Sequence, residues 1–262
     1  MAKLLGVPSQ AGRKLAAAAV EPGLPDPRMR GPFRPFTTDP GWSEAWWWLA
    51  IPALVALFVL ASYRADSAWH TAWVTRESGI LETGQFMFMV MGLAIAVQLL
   101  FDPFVRRRPL IFAFTAFAAL ACLYIGGEEV SWGQHIFFWQ SPNLVTETNS
   151  EGEFSLHNMN KAFERAPRTL LELGILVGGI LVPLACAVAP SASLLPITLF
   201  ALFFKLAGTL TKYGMAGPVA ARPSEAVEFF MYFFIFAYLM VFERRIRALT
   251  ESTGGGAEGR QR

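Results

Sequence analysis

Cysteine and histidine are scarce in this chain, with two and three residues respectively among 262. Cys122 and Cys186 both lie inside apolar blocks, which excludes a disulfide framework or a cysteine-based metal module and leaves them as small core residues. Charge is thin as well: 16% of positions carry it, against about 25% in an ordinary soluble domain. The net charge of +2 comes without a basic stripe interleaved with aromatics, so nucleic acid is not among the expected partners. No alternating apolar pattern of the membrane β-barrel kind is present. The run Leu15–Val20 is also too short for a signal-peptide apolar region, which needs at least about 7 residues.

Apolar residues are what the chain has in excess, 54% of the total. They are gathered into blocks close to the roughly 17–25 residues that cross a hydrocarbon core. Six such blocks stand out: Ala45–Ser62, Gly79–Phe101, Leu110–Ile125, Thr169–Ala189, Ala192–Leu210 and Ala226–Phe242. The first opens with Trp46, Trp47 and Trp48, residues that suit the headgroup boundary. The third is entered through Pro109 and ends at Gly126–Gly127, and the sixth is entered through Pro223 and Ser224. Backbone groups in lipid must be satisfied within each span, so helices are the default. The expected fold is therefore all-α: a polytopic transmembrane helix bundle of about six spans, or five if one block is re-entrant. Residues 1–40 read as a disordered tail, 41–247 as the six-span domain with an outer motif loop at 126–167, and 248–262 as a second disordered tail.

Lysine and arginine set the orientation. Residues 1–40 carry six of them against three acids, Arg106–Arg108 face Asp102, and Arg244, Arg245 and Arg247 follow the last span. With six spans these segments share one side, which the rule makes cytoplasmic, together with both termini. The segment 126–167 then falls outside, with six acids against Lys161 and Arg165.

Under this topology the ionisable residues that enter the spans all lie toward the outer leaflet: Glu82, Glu128, Glu129, Glu172, Lys205, Glu225 and Glu228. Charge inside a membrane is costly and usually faces protein or water, so a shared outward polar cavity is the economical reading. The richest stretch is Gly126-Gly-Glu-Glu-Val-Ser-Trp-Gly-Gln-His135. If helical, it aligns Glu128, Ser131 or Trp132, and His135. Glu153 and His157, four apart, present a second carboxylate with an imidazole. Glu128, Glu129, Glu153 and His157 are thus the candidate acid–base residues. Glu82, Glu128, Glu129, His157 and Glu228 are the candidate ligands of a divalent transition metal.

Plainer roles compete with these. Glu172, Glu225 and Glu228 could simply cap helix N-termini. His70, beside Trp69 in a short loop, reads as an interfacial residue, and Lys205 could snorkel or pair with a glutamate. Glu128 and Glu129 resist such a reading, because negative charge is disfavoured at a helix C-terminus. They need a cation, a proton or a basic partner such as Lys205 or Lys212.

The segments Gly127-Glu-Glu-Val-Ser-Trp-Gly-Gln-His135 and Glu151-Gly-Glu-Phe-Ser-Leu-His-Asn158 resemble a group of bacterial multi-pass membrane proteins with "EEISWGQR"-like and "QGExNLHN"-like motifs. Glu77-Ser-Gly-Ile-Leu-Glu82 is similar to that group's acid-x-Gly-x-x-Glu start of the second span. The likeness covers roughly residues 75–245 and implies residence in a bacterial inner (plasma) membrane, with no substrate or reaction attached. His135 stands where arginine is expected and Glu151 where glutamine is expected, which weakens His135 as an essential ligand.

Three function classes follow from the residues. The first is a hydrolase or transferase, metal-assisted or not, acting on a lipid or lipid-linked substrate at the outer leaflet. The second is a non-catalytic subunit or assembly factor that docks a membrane-protein partner through the acidic outer loop 140–167. The third is a proton- or cation-coupled transporter.

Overall fold

The computed structural model describes residues 46–65, 67–75, 79–137, 139–140, 142, 154, 190–215, 217–218 and 223–258. The expected fourth span, 169–189, and the candidates Glu153, His157 and Glu172 lie outside these residues. Among the described residues every regular element is helical. In chain order these are α1 (Trp46–Ala65), α2 (Ser67–His70), a π-turn (Thr71–Thr75), α3 (Ile80–Leu100), α4 (Pro103–Arg106) and α5 (Pro109–Glu129). A left-handed turn (Ser131–Gly133) leads into α6 (Gln134–Phe137), and a 3-10 turn (Ala192–Leu194), α7 (Leu195–Lys212) and α8 (Pro223–Glu258) complete the set.

Four helices among the described residues, α3, α5, α7 and α8, are long and apolar enough to cross a membrane. The 21 residues of α3 span about 31 Å, close to the thickness of a hydrocarbon core. Helix α1 has a shorter apolar stretch, Trp48–Arg64, packed on α7 and α8. The outward faces carry large bare side chains, among them Leu54, Leu110, Phe117, Leu120 and Leu206. That much apolar surface suits lipid and would aggregate in water.

Helix α8 is the axis of the bundle: 67% of its apolar window is buried, against 22–28% in the other three. Aromatic residues run around all its sides, as expected of a helix surrounded by protein. Phe88 of α3 lies 4.9 to 5.6 Å, centroid to centroid, from Phe229, Phe233 and Phe236. Phe200 and Phe204 of α7 stack on Phe230, and Phe114 of α5 meets Tyr238 and Phe242 edge-on. Phenylalanine thus lines the interfaces of α8 with α3, α5 and α7. Each such ring pair adds about 0.5–1.5 kcal/mol beyond its buried area.

The proline starts expected at 109 and 223 are where α5 and α8 begin, since a first-turn residue needs no intrahelical N–H donor. The expected end of the third span is corrected. Helix α5 runs through Gly126–Gly127 to Glu129, because Gly126 serves packing rather than termination. A Cβ there would stand 3.1 Å from the Cβ of Met89 on α3. The tryptophan belt also divides: Trp46 is exposed, whereas Trp48 is buried.

The two ends of the bundle differ in charge. At one end Asp102 caps α4 by accepting from the Phe104 and Val105 amides, at 2.7 and 3.4 Å. The same carboxylate accepts from the Thr250 hydroxyl of α8 at 3.1 Å. That contact ties the turn carrying Arg106–Arg108 to the C-terminal part of α8. It also belongs to a helix that continues to Glu258, beyond residue 247 where a disordered tail was expected to begin. Glu82, Glu129, Glu225 and Glu228 occupy the opposite end.

Candidate functional site

The carboxylates of that second end come from the start of α3, the end of α5 and the start of α8. Helix α5 runs antiparallel to α3 and α8, which run parallel to each other, so these three termini meet at one end. Glu129 is the centre of the group. It feels the negative charge of Glu228, Glu82 and Glu225, and it accepts a hydrogen bond from the Tyr232 hydroxyl at 3.0 Å. Tyr232 sits one turn after Glu228, so both reach the same face of α8. Gln85 on α3, fully buried, donates through Nε2 to the Glu225 carbonyl oxygen at 3.1 Å and ties the start of α8 to α3. Among the described residues its Oε1 has no hydrogen-bond partner and is an acceptor held at the same end.

Glu128, the preceding residue, has its own aromatic donor. It is 8% exposed and accepts from the indole N–H of Trp132 at 2.6 Å. The contact requires an unusual backbone, with Ser131, Trp132 and Gly133 all at positive φ (46°, 54° and 91°). Such conformations are sparsely populated for non-glycine residues and cost of order 1–3 kcal/mol each. The break at Val130 means that the continuous helical face expected for Glu128, Trp132 and His135 does not form. A left-handed turn delivers Trp132 back onto Glu128 instead. Aromatic donors, Trp132 and Tyr232, meet the two carboxylates, and Lys205 and Lys212 line a cavity between α7 and α8.

Among the described residues no three His, Cys, Asp or Glu side chains are grouped to hold a metal ion. Glu82, Glu129 and Glu228 share one end of the bundle, and His157, the remaining expected ligand beside Glu128, lies outside the described residues. Tyr232 and Gln85 were not among the sequence candidates. The available signal was spacing: Gln85 is three residues after Glu82, and Tyr232 is four after Glu228.

His70 is corrected from an interfacial loop residue to a buried one. Residues 67–75 are helical, and this turns the imidazole inward, where Nδ1 lies 2.7 Å from the Ser62 hydroxyl oxygen. Ser62 also donates to the Val59 carbonyl at 3.0 Å, and among the described residues His70 Nε2 has no hydrogen-bond partner. Burial lowers the imidazole below its usual 6.5 and keeps it neutral in the fold. An unfolded chain takes up that proton first as pH falls. The His70 contribution is accordingly complete above pH 6.5 and is lost as pH drops below it toward the lower folded value. Ser62→Ala should cost about 1–3 kcal/mol by leaving Nδ1 unpaired, and His70→Gln should flatten the acid-side slope. Melting temperature in detergent, followed against pH, checks both.

No family model, curated protein or solved structure matches this chain.

Proposed function

We propose that the protein is a six-span plasma-membrane protein with both termini cytoplasmic, whose outward carboxylate centre performs acid–base chemistry on a lipid or lipid-linked substrate, as a hydrolase or transferase. The observation that carries this reading is that Glu82, Glu129, Glu225 and Glu228 share one end of the helix bundle, where Tyr232 donates to Glu129. Carboxylates gathered in a low-dielectric end of a bundle exchange protons with their surroundings or hold a cation, and neither use is needed for packing. Glu129, oriented by Tyr232, is the proposed acid–base group, with Glu128 held beside it by Trp132.

Parity supports the six spans. Helix α5 ends at the acidic end, and α7, antiparallel to α8, begins toward the basic one, so the chain must return across the layer between them. The apolar block 169–189 lies in that interval. The transporter reading is less well supported, because a charge path would need acids through both leaflets. Among the described residues, Asp102 and Glu243 at the basic end are engaged by Thr250 and Arg247.

Two measurements test the proposal. Cysteines introduced at Gly217 and Arg107 should react with an impermeant thiol reagent from opposite sides of the membrane, Gly217 from the outside. Reversed labelling would overturn the orientation. Purified protein incubated with extracted membrane lipids should yield a product that the Glu129→Gln variant does not form. Elemental analysis of the same samples separates metal-assisted from metal-free chemistry: a stoichiometric transition metal lost with Glu129 would assign the carboxylates to a ligand set.

A further inference from the structure

At the basic end of the bundle the connection 101–108 joins α3 to α5, and it finishes on three consecutive arginines. It is rigidly built. Asp102 caps α4, and the amides of Arg106, Arg107 and Arg108 donate to the carbonyls of Asp102, Pro103 and Val105 at 3.0, 3.2 and 3.0 Å. The Thr250 hydroxyl fastens that cap to α8. Phe104 and Val105 are buried and pin the turn, while Arg106 and Arg107 stand exposed. Arg108 is held as well: its guanidinium carbon lies 3.5 Å from the Phe104 ring centroid, and Nη1 donates to the Phe104 carbonyl at 3.3 Å. That bond uses one of five guanidinium N–H donors.

The carboxylates of this end are engaged elsewhere. Asp102 accepts from two amides and from Thr250, and Glu243 pairs with Arg247. Among the described residues Arg106, Arg107 and Arg108 make no ion pair. Three like charges on one short turn repel one another, and an anion set between them reverses that energy. Phosphate suits the site best, because a guanidinium fork offers its oxygens two parallel hydrogen bonds.

The flanks decide what carries the phosphate. Phe101, at the end of α3, is 72% exposed, and Leu110, at the start of α5, is 85% exposed. Val97 extends the bare surface one turn back along α3, and Phe117 extends it two turns along α5. A free phosphate would leave these side chains uncovered, whereas acyl chains cover them. The arginines also sit at the ends of two membrane-crossing helices, the depth at which lipid headgroups lie.

The geometry points to a binding site for the phosphate of an anionic phospholipid, held by Arg106, Arg107 and Arg108, with its acyl chains along the adjoining ends of α3 and α5. Under the proposed topology the lipid belongs to the cytoplasmic leaflet. The inference rests on membrane residence and not on the acid–base reading, and lipid retention is measured without turnover, so the two fail separately.

The test uses the full chain in detergent, titrated separately with phosphatidylglycerol, phosphatidylcholine and inorganic phosphate, with native mass spectrometry and thermal stabilisation as readouts. Phosphatidylglycerol should be retained and should raise the melting temperature. The Arg106→Gln/Arg107→Gln variant should bind it roughly 30-fold more weakly, from about one surface charge's worth of attraction for each arginine. Both side chains are exposed, so the fold should survive, and Arg107→Gln alone should lose roughly 5-fold if the double variant does not fold. Arg247→Gln is the control. It removes one positive charge from the same end, at a residue already paired with Glu243, and should change retention by less than about 2-fold. A loss in Arg247→Gln equal to that in Arg107→Gln would overturn the site and leave only the general positive field of this end. Undiminished retention by the double variant would overturn it too. Equal retention of phosphatidylcholine, or equal protection by inorganic phosphate, would overturn the anionic-lipid assignment.

Discussion

Gly126→Leu should destabilise the protein by about 3 kcal/mol, the upper end for forcing extra methylenes into a packed interior. The position has no room to give. A Cβ on residue 126 would meet the Cβ of Met89 at 3.1 Å, and Met89 is itself 0% exposed. The Phe86 ring closes the other side at 3.9 Å. Relief would require α3 and α5 to separate, and helices in lipid are held together by close packing, with little hydrophobic driving force of their own. The damage would also reach the site, because Glu128 and Glu129 follow within one turn of the same helix. Gly126→Ala should show a smaller loss of the same sign. Gly217→Ala, where a Cβ meets nothing within 4 Å, should stay within about 0.5 kcal/mol of wild type. Denaturant titration in detergent micelles, following tryptophan fluorescence, measures all three.

Gly126 also shows where the sequence was readable and where it was not. A Gly-Gly pair at the end of an apolar block reads as a stop, because glycine weakens an isolated helix. In the bundle the tertiary gain outweighs that cost, and the helix runs on to Glu129. Helix starts were legible for the converse reason: Pro109 and Pro223 act locally, through the donor they lack. The gathering of acids at one end was legible from counting which end of each apolar block carried charge. Their partners were not, since Tyr232 reaching Glu129 depends on how α5 and α8 are aligned, and Trp132 reaching Glu128 depends on a left-handed turn that no helical projection contains. His70 was misread because its short connecting segment folds into helical turns, and these set which way an imidazole points.

Glu129→Gln carries the second large effect, with opposite signs in stability and activity. Glutamine keeps the shape and an oxygen able to accept from Tyr232, so the 3.0 Å contact can persist. It removes one charge from a group in which Glu228, Glu82 and Glu225 repel Glu129. Stability should hold or rise by up to about 2 kcal/mol, the pattern seen where a strained functional group is neutralised. Proton transfer through that position should stop, and loss of a positioned acid–base group costs typically 10²–10⁴-fold in rate. Tyr232→Phe, which removes only the orienting hydroxyl, should fall between wild type and Glu129→Gln in activity.

The most direct single measurement is therefore the melting temperature and the lipid turnover of Glu129→Gln, taken on one preparation beside wild type. The expected result is a protein at least as stable as wild type that no longer forms product. A variant that turns over normally, or one that is inactive because it has lost its fold, would contradict a working carboxylate centre at this end of the bundle.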